Sequence, residues 1–478
     1  MRLTVIGTGY LGAVHAACMA GVGHDVLGVD VDAEKVMSLA KGRPPFYEPG
    51  FEDVLTQALA TGRLRFSTSL RDAAVHGEVH FICVGTPQQA GSQAADLRYV
   101  DAVVDGIAPH LPASCLVVGK STVPVGTTER LANRIAGLAP VGVRAEVAWN
   151  PEFLREGFAV EDTLRPDRLV VGVTSPEADE TLRQVYAPML EAGVPYISTD
   201  PNTAELVKVA ANSFLATKIS FINAMAEVCD AAGADVVTLA DALGHDARIG
   251  RQFLNAGLGF GGGCLPKDIR AFSARAQELG VGPVVDFLDQ VDEINQRQRT
   301  RTVALARQMA GGDLTGRRVT VLGATFKPNS DDVRDSPALA VATALHRQGA
   351  DVRVHDPQGA ANAQRAHSEL RCTSDLLTAC EGAEIVLHLT EWGQYCEVDP
   401  AKLARVVRER VLVDGRNALL HDKWRAAGWT VRALGRPTSS ARQSDAKARQ
   451  HLRATIASPV AELDRAAAMA PAQPTSGA

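Results

Sequence analysis

The feature that most constrains the fold is a glycine-rich segment near the start of the chain, Gly7-Thr8-Gly9-Tyr10-Leu11-Gly12. It directly follows a strand-like apolar run and directly precedes a helical pattern, and the next strand-like run ends at Asp30. This order predicts the first βα turn of a dinucleotide-binding domain, with phosphates bound at a helix N-terminus. A structural turn without a ligand is the alternative, but strand, loop, helix and acid all occur at the expected spacing.

Each part of this segment has a predicted role in binding. Gly7 permits a tight turn, Gly9 lets the backbone approach a pyrophosphate, and Gly12 permits close packing of helix against strand. Asp30 would accept hydrogen bonds from the adenosine ribose, and its negative charge would repel a 2′-phosphate. The sequence therefore predicts NAD rather than NADP as the cofactor.

Strand-like runs alternate with helical stretches in two separate parts of the 478-residue chain. Residues 1–198 and 311–436 both show this alternation, which predicts an α/β fold with two doubly wound, Rossmann-type sheets. Residues 199–310 contain two long helical patterns, which predict a central region that bridges the sheets and supports dimerisation. Residues 437–478 are rich in Ala, Ser, Arg, Gln and Pro, and we expect a disordered tail there.

Composition argues against several classes of partner. The formal net charge is −6, from 49 basic and 55 acidic residues, so we expect no nucleic acid and no membrane as the main partner. No apolar stretch approaches the roughly 20 residues that span a bilayer. The eight cysteines are scattered without a CxxC pair, which argues against disulfides and a metal site and favours reduced thiols in the cytoplasm.

One cysteine has an unusual setting, in the segment GFGGGCLPKD that begins at Gly259. Three glycines before Cys264 expose backbone N–H groups and let a ligand approach closely. Asp268 follows one helical turn later, and we expect Lys267 and the helix start to lower the pKa of the thiol. A reactive role is favoured for Cys264, whereas the apolar surroundings of the other thiols suggest packing roles for Cys18, Cys83, Cys115 and Cys229.

Lys208 and Asn212 lie four residues apart in the first long helical pattern and would share one face of the helix. A lysine in this otherwise apolar stripe could stabilise a developing alkoxide, with Asn212 as a neutral donor. An exposed lysine in a salt bridge remains the alternative, because the spacing alone does not exclude it.

Further motifs occur in one order along residues 1–436. They are GTGYLG at Gly7, YEPG at Tyr47, VGTP at Val84, KSTVPVGTT at Lys120, NPEFLREG at Asn150, RIG at Arg248, GFGGGCLPKD at Gly259, FKPNSDDVRDSP at Phe326, TEW at Thr390 and DGRN at Asp414. In these motifs the chain resembles the UDP-glucose/GDP-mannose dehydrogenase family. It departs from the common pattern at Leu11, where Val is frequent, and at Gly263, where Ser or Tyr is common.

The resemblance implies an NAD-dependent enzyme that oxidises C6 of a nucleotide sugar from alcohol to carboxylate in two steps. Cys264 would capture the intermediate aldehyde as a thiohemiacetal, and a second hydride transfer would give a thioester that water hydrolyses. The expected reaction converts UDP-glucose to UDP-glucuronate, for polysaccharide or glycoconjugate synthesis.

The resemblance also implies roles for the residues around the thiol. Lys208 would stabilise the oxyanion, with Asn212 beside it. Asp268 and Thr122 would organise the water, and Glu152 would carry out the acid–base work of thioester hydrolysis.

Two sets of binding residues follow from the same resemblance. The cofactor would contact Gly7, Gly9, Tyr10, Leu11, Gly12, Asp30, Lys35, Val84, Thr86, Thr122, Glu156, Lys267 and Arg334. The UDP-sugar would contact Glu152, Phe153, Leu154, Arg155, Glu156, Lys208, Asn212, Arg248, Phe253, Leu254, Asn255, Ala256, Gly257, Gly261, Phe326, Lys327 and Arg416. Arg248 would come from a partner subunit, so a homodimer or higher homo-oligomer is expected.

Three alternatives remain open at this point. Within the family, the substrate could be GDP-mannose or UDP-N-acetylmannosamine, although the FKPN and TEW motifs favour UDP-glucose. A non-catalytic NAD-binding or assembly protein would need no cysteine at position 264. A simple alcohol or hydroxy-acid dehydrogenase would not need one either.

Overall fold

The computed structural model describes residues 1–437, and the rest of the predicted tail lies outside the described residues. The N-terminal unit contains an eight-stranded sheet with the strand order β3-β2-β1-β4-β5-β6-β7-β8. Its strands are β1 Arg2–Ile6, β2 Asp25–Val29, β3 Leu64–Ser67, β4 Val79–Ile82, β5 Cys115–Gly119, β6 Ala145–Trp149, β7 Leu169–Gly172 and β8 Tyr196–Thr199.

Helices of this unit connect the strands and cover both faces of the sheet. They are α1 Tyr10–Gly21, α2 Ala33–Ala40, α3 Phe51–Ala60, α4 Leu70–His76, α5 Arg98–Ile107, α6 Thr127–Leu138, α7 Ala159–Leu164, α8 Pro176–Val185 and α9 Ala187–Glu191, with a 3₁₀ turn at Ala108–His110. Two apolar clusters, one on each face, make the core. The runs of Val, Ile and Leu in the central strands are therefore buried on both sides, as in other sheets of parallel strands.

One edge of this sheet differs from the fully parallel arrangement that the pattern predicts. Strand β6 pairs antiparallel with β7 through Trp149 and Gly172, whereas β7 pairs parallel with β8. The chain between β6 and β7 contains only the six-residue helix α7, which packs beside α1. A full crossover helix, which parallel neighbours usually require, is therefore missing at this step.

The C-terminal unit contains a six-stranded parallel sheet with the order β11-β10-β9-β12-β13-β14. Its strands are β9 Arg318–Leu322, β10 Asp351–His355, β11 Arg371–Thr373, β12 Ile385–His388, β13 Val411–Asp414 and β14 Thr430–Ala433. Its helices are α14 Pro337–Arg347, α15 Ala360–Ala366, α16 Leu376–Cys380, α17 Gly393–Glu397, α18 Pro400–Leu403 and α19 His421–Ala426. This is the Rossmann strand order, which the first six strands of the N-terminal sheet share.

The central helices join the two sheets, as the long helical patterns predict. They are α10 Pro201–Ala232, α11 Val236–Gly244, α12 Leu265–Glu278 and α13 Phe287–Met309, with a 3₁₀ turn at Gly282–Val284. Helix α10 packs against β7, α12 and α13, and α13 packs against α14 of the C-terminal unit. None of the described helices combines the length and the apolar character needed to cross a membrane.

Candidate active site

The glycine-rich turn has the geometry that its sequence predicts. Gly7 has φ 92° and donates its N–H to the Val29 carbonyl at 2.7 Å. A Cβ on Gly12 would overlap the Gly7 carbonyl oxygen, whereas a Cβ on Gly9 would meet no atom within 4 Å. The backbone at Gly9 therefore borders open space at the N-terminus of α1, where no side chain caps the helix. This free N-terminus fits the diphosphate of a dinucleotide.

Asp30 directly follows β2, and its carboxylate accepts hydrogen bonds from three residues. Its Oδ2 accepts from the Thr8 N–H at 2.8 Å and from Lys35 Nζ at 3.0 Å, and its Oδ1 accepts from the Asp32 N–H at 3.1 Å. Burial raises the pKa of Asp30, but the Asp32 amide, Lys35 and the Thr8 amide together bring this pKa below its ordinary value. The result is an ionised carboxylate at the position where a ribose diol binds in such domains.

The remaining predicted cofactor residues of this unit surround the same edge of the sheet. Thr86 Oγ1 donates to the Thr122 carbonyl at 2.7 Å, and Ser121 Oγ donates to the Val84 carbonyl at 2.6 Å. These bonds join the loops that follow β4 and β5. Tyr10 and Leu11, in the first turn of α1, are half-buried against the N-terminal core.

Cys264 lies exposed at the N-cap of α12. The three glycines before it lie against the C-terminal unit. A Cβ on Gly261 would overlap the Asp335 carbonyl oxygen, and one on Gly262 would lie 2.8 Å from the Phe326 ring. A Cβ on Gly263 would lie 2.6 Å from the guanidinium carbon of Arg334. The glycine strip thus brings the thiol to the junction of the two units.

The structure brings the predicted catalytic side chains together around this thiol. Lys208 Nζ lies 3.4 Å from Glu152 Oε1. Asn212 Nδ2 donates to Asp268 Oδ2 at 2.7 Å, and Lys267 Nζ donates to Asp268 Oδ1 at 2.5 Å. Both residues predicted on α10 are buried, so the alternative of an exposed salt-bridging lysine is wrong.

The expectation that Lys267 and the helix start lower the thiol pKa is also wrong. Desolvation is the main cause that raises the pKa of Cys264 to about 11, and the carboxylates of Asp268, Glu152 and Glu156 raise it further. Lys208 opposes this rise, but Lys267 is occupied by Asp268. Cys264 is therefore a neutral thiol at neutral pH.

Lys208 keeps its charge despite burial. Desolvation lowers the pKa of Lys208, but Glu152, Cys264 and Asp268 raise it, and the net pKa lies above the ordinary value. The site therefore contains a buried ammonium group that can face a developing oxyanion. Its Nζ also lies 5.4 Å from the centre of the Phe153 ring, which helps to hold it in place.

A second group of charges connects the two units. Arg334 donates to Asp332 and, at 3.4 Å, to Glu156 Oε1, while Ser330 Oγ donates to Glu156 Oε2 at 3.0 Å. Desolvation and the charge of Asp332 raise the pKa of Glu156 to about 7. Desolvation lowers the pKa of Lys327, which faces Glu156, Cys264 and a further acid, Glu48.

Two buried residues of this region received no role from the sequence, although both lie in recognised motifs. Glu48 accepts from the N–H groups of Gly157 at 2.6 Å and Ala159 at 2.7 Å, and desolvation raises its pKa to about 7. Lys120 Nζ donates to Asn150 Oδ1 at 2.8 Å, and desolvation lowers its pKa to about 8. A charge directly after the apolar strand β5 was the signal that could have identified Lys120. Glu48 lies in the loop between α2 and α3, where no apolar run marks it.

The predicted sugar-binding loop is bonded to the DGRN turn. Arg416 donates to the carbonyls of Gly259 at 2.8 Å, Phe326 at 3.3 Å and Leu389 at 2.7 Å. Gly257 donates its N–H to Asn223 Oδ1 at 2.8 Å. In the same loop, the Arg251 guanidinium donates to the Leu254 carbonyl and to Asn255 Oδ1. The side-chain amide of Asn417 donates to the Ala256 carbonyl.

Phe253 adopts φ 65°, a left-handed conformation that is unfavourable for a bulky residue. Such strain at a position predicted to contact the ligand is consistent with a binding role for the loop.

Three predicted contacts are not directed to the thiol. Arg155 binds Asp162 at 2.7 Å with a side chain that is 60% exposed. Arg248 binds Asp246 at 2.6 Å with a side chain that is 89% exposed. Leu154 packs against the N-terminal core. The exposed guanidinium of Arg248 is available to a second copy of the chain.

Fold and site together define the class of protein: a dinucleotide-dependent dehydrogenase with a cysteine beside a buried lysine. Family models agree with this assignment along the chain. Residues 1–190 match the NAD binding domain, 202–297 the central domain, and 320–421 the UDP binding domain of the UDP-glucose/GDP-mannose dehydrogenase family. The chain belongs to this family.

Similar proteins cover nearly the whole chain. The UDP-glucose 6-dehydrogenase of Rhizobium meliloti is 42% identical over 441 residues, which is 91% of this chain and 100% of the relative. That of Pseudomonas aeruginosa is 42% identical over 447 residues, covering 91% and 98%. Among solved structures, the UDP-glucose dehydrogenase of Pyrobaculum islandicum has a TM-score of 0.82 at 40% identity and covers 90% of this chain and 98% of its own.

Proposed function

We propose that this protein oxidises C6 of UDP-glucose to the carboxylate of UDP-glucuronate. The observation that carries the proposal is the grouping of Cys264 with Lys208, Asp268 and Glu152, in a chain whose glycine-rich turn fits NAD. The net reaction consumes the sugar alcohol, two NAD⁺ and one water, and it yields the carboxylate, two NADH and three protons. Relatives that cover nearly the whole chain carry the name of this activity.

Bound NAD⁺ supplies the hydride acceptor for both oxidations. Residues of the glycine-rich turn, together with Asp30 and Lys35, would hold the adenosine and diphosphate. Thr86, Thr122 and Glu156 would lie towards the nicotinamide, and Arg334 would reach the cofactor from the C-terminal unit.

The chain's own residues would carry out the remaining chemistry. Lys208 would stabilise the negative oxygen at C6 while Asn212 holds Asp268 in place. The Cys264 sulfur would add to the aldehyde carbon, and the thiol proton would end on the hydroxyl of the thiohemiacetal. After the second oxidation, Glu152 would take a proton from the water that attacks the thioester.

UDP-glucose is favoured over other nucleotide sugars by the graded similarity to solved structures. The UDP-glucose enzyme is 40% identical, whereas the UDP-D-ManNAc dehydrogenase of Pyrococcus horikoshii is 26% identical with a TM-score of 0.78. In the site for the nucleotide sugar, Lys327 and Arg416 of the C-terminal unit would supply positive charge for the phosphates of UDP.

We also propose the domain division 1–198, 199–310 and 311–436, a cytoplasmic location, and a homodimer. Helix α10 supports the dimer, because Leu206, Phe214, Phe221 and Val228 leave 41%, 66%, 49% and 55% of their surface exposed. The last three are spaced by seven residues and share one face of the helix. A second copy that covers this face would offer its Arg248 to the neighbouring site.

A substrate panel tests the proposed activity. We expect NADH formation with UDP-glucose, at two equivalents per sugar, and little with UDP-galactose or GDP-mannose. The Cys264→Ser variant should stop steady turnover. Turnover of GDP-mannose but not UDP-glucose would refute the assignment, and full activity of Cys264→Ser would refute the covalent mechanism.

A further inference from the structure

Two buried asparagines of the central helices hold the segment of residues 257–260, which leads into the glycine strip. Asn295 on α13 bonds Phe260 twice: its Oδ1 accepts from the Phe260 N–H at 2.8 Å, and its Nδ2 donates to the Phe260 carbonyl at 3.0 Å. Asn223 on α10 accepts from the Gly257 N–H at 2.8 Å. Both asparagines are fully buried, so these bonds are shielded from water.

The segment fits closely against Asn295. Phe260 lies in a loop, so its backbone groups need partners other than a neighbouring strand, and one amide side chain supplies both an acceptor and a donor. A Cβ on Gly259, which has φ 92°, would overlap Asn295 Oδ1. The Phe260 ring packs in an apolar cluster with one residue from each of three helices, Ala216, Ile269 and Val291. Asn295 and this cluster together fix Phe260 against the central helices.

The glycine strip, residues 261–263, does not hold its own course, because glycine restricts the backbone less than any other residue. One bond fixes its middle, from the Gly262 N–H to the Arg334 carbonyl at 3.1 Å. Phe260 precedes the strip, and Cys264 follows it as the N-cap residue of α12. A shift of Phe260 would therefore reach the thiol across only three glycines.

The same face of α13 also connects the strip to the C-terminal unit. Arg299 lies one helical turn after Asn295. Its guanidinium donates to the Phe260 carbonyl at 3.4 Å and to Asp335 Oδ1 at 2.9 Å. The carbonyl oxygen of Asp335 is the atom that faces Gly261. Helix α13 thus aligns both the start of the strip and the part of the C-terminal unit that the strip contacts.

We propose that Asn295 is a positioning residue for the nucleophile, holding Phe260 so that the Cys264 sulfur lies within reach of C6 of the sugar. It acts through the backbone rather than on the reacting atoms. This inference rests on the proposed function, in which the sulfur adds to an aldehyde carbon. Such an addition needs the reacting atoms about 3–3.5 Å apart, and a displacement of about 1 Å can cost about 100-fold in rate.

The experiment compares Asn295→Ala and Ser220→Ala with the parent, each as the full-length protein. Ser220 on α10 is a matched control, because its buried hydroxyl donates to the Val291 carbonyl at 2.7 Å and so also forms a bond with α13. That bond joins two helices and does not involve the segment of residues 257–260. Ser220→Ala therefore measures what the loss of a buried hydrogen bond does to the helices alone.

The first measurement needs no substrate. Iodoacetamide alkylates Cys264 at pH 8, and peptide mapping gives the rate at this thiol. In Asn295→Ala we expect a rate about tenfold higher, because a displaced thiol leaves the desolvated site and the carboxylates that raise its pKa to about 11, and each unit of pKa changes the thiolate fraction about tenfold. Ser220→Ala should react at the parental rate.

The second measurement follows a single turnover with UDP-glucose and NAD⁺ in the presence of an aminooxy reagent that captures free aldehyde. The first oxidation does not use the thiol and should still yield one NADH per sugar. The second NADH should form about 10- to 100-fold more slowly in Asn295→Ala, because the sulfur is out of place. Mass spectrometry should then detect the oxime of the UDP-sugar aldehyde, whereas the parent should yield two NADH and no oxime.

Several outcomes would overturn the proposal. One is parental alkylation together with two NADH and no oxime in Asn295→Ala, and another is the same pair of changes in Ser220→Ala. If Asn295→Ala does not fold, Asn295→Asp has the same shape, and as a carboxylate it keeps the acceptor for the Phe260 N–H but lacks the donor. It must show both changes to a smaller degree, and parental behaviour would refute the positioning role. If the parent forms no NADH with UDP-glucose, the proposed function is wrong, and the alkylation rates alone decide whether Asn295 positions the thiol.

Discussion

At the scale of single residues, the thiol is kept unreactive until substrate arrives. Desolvation by the surrounding protein and three carboxylates hold the pKa of Cys264 at about 11, so almost none of it is thiolate at neutral pH. The thiolate is the form that alkylating and oxidising reagents attack. An exposed cysteine with such a pKa can persist in the presence of oxidants and still add to an aldehyde held against it.

Alkylation by iodoacetamide checks this account. Between pH 7 and 9.5 the rate at Cys264 should rise about tenfold per pH unit, because the pKa lies above this window. Asp268→Asn removes a negative charge that raises the pKa, so the variant should react faster at pH 8. Peptide mapping identifies the labelled cysteine, and Asp179→Asn in α8 is a remote control. Equal rates for parent and Asp268→Asn would contradict the proposed electrostatics.

Lys208 offers a second test at this scale. Lys208 is a buried ammonium group close to Cys264, and this charge can face an oxyanion at C6 of the sugar. Lys208→Ala should lower kcat about 100- to 1,000-fold, as the loss of one oxyanion donor does in other enzymes. Binding of NAD, measured by calorimetry, should stay within a few-fold of the parent. The exposed Lys41→Ala variant should retain parental kcat, and a change only in KM for Lys208→Ala would argue against its role in the transition state.

At the scale of elements, two buried glutamates hold the loops that carry catalytic residues. Glu48 accepts from backbone N–H groups 109 and 111 residues further along the chain, in the loop after Glu152. Glu205 on α10 accepts from Gly126 and Thr128 at 2.7 Å each, at the start of α6 beside the Thr122 loop. Glu48, from the loop before α3, therefore fixes the segment that follows β6. Glu205, from α10, fixes the segment that follows β5.

Unfolding as a function of pH tests Glu48. Its folded-state pKa of about 7 lies above the ordinary 4.5, so the folded protein retains a proton that the unfolded chain has released. This glutamate therefore makes the free energy of unfolding fall as pH rises from about 5 to 8. In the Glu48→Gln variant, the free energy of unfolding should decline less over this pH range. Urea unfolding at several pH values measures the difference. Parallel curves for parent and variant would contradict the shifted pKa.

Sequence patterns predicted the buried elements better than the exposed ones. The long apolar runs correctly placed β1, β2, β4 and β5, and the helical spacing placed α10 and α13. Strands β3, β8 and β11 were missed because they lie half-exposed at sheet edges and therefore carry no continuous apolar run. The caps by Glu48 and Glu205 could not be foreseen, since their partners lie far away in sequence.

At the scale of the whole molecule, the site depends on both units and, as proposed, on a second copy. Order along the chain predicted two sheets joined by helices. It could not show that Arg416 would donate to three carbonyls, or that Arg334 would divide itself between Asp332 and Glu156. Both arrangements depend on how separately folded layers meet, and local patterns do not encode that.

Mixing two inactive variants tests the shared site. Arg248→Ala and Cys264→Ala should each have little activity as pure proteins. After subunit exchange, about one quarter of the parental activity should return, since about half of the dimers are mixed and each has one intact site. Failure to regain activity, with exchange shown by a tagged subunit, would place Arg248 outside the neighbouring site.

Replacement of the exposed phenylalanines tests the proposed interface itself. Phe214→Asp with Phe221→Asp places charge on the exposed face of α10 and should give monomers by analytical ultracentrifugation. The same change at Tyr99, an exposed aromatic residue that is 53% accessible on α5, should leave the oligomeric state unchanged. Dimers of the double variant would exclude this face as the contact.

The glycine strip also sets which substitutions a lineage of such proteins can accept. Gly261 faces the carbonyl oxygen of Asp335, a backbone atom that cannot turn aside, so even a methyl group would force the units apart. Gly263 faces only the end of the Arg334 side chain, which can swing away. Neighbouring positions of one loop therefore differ in evolutionary freedom: variation is expected at the residue adjoining the nucleophile, and near-invariance two residues earlier.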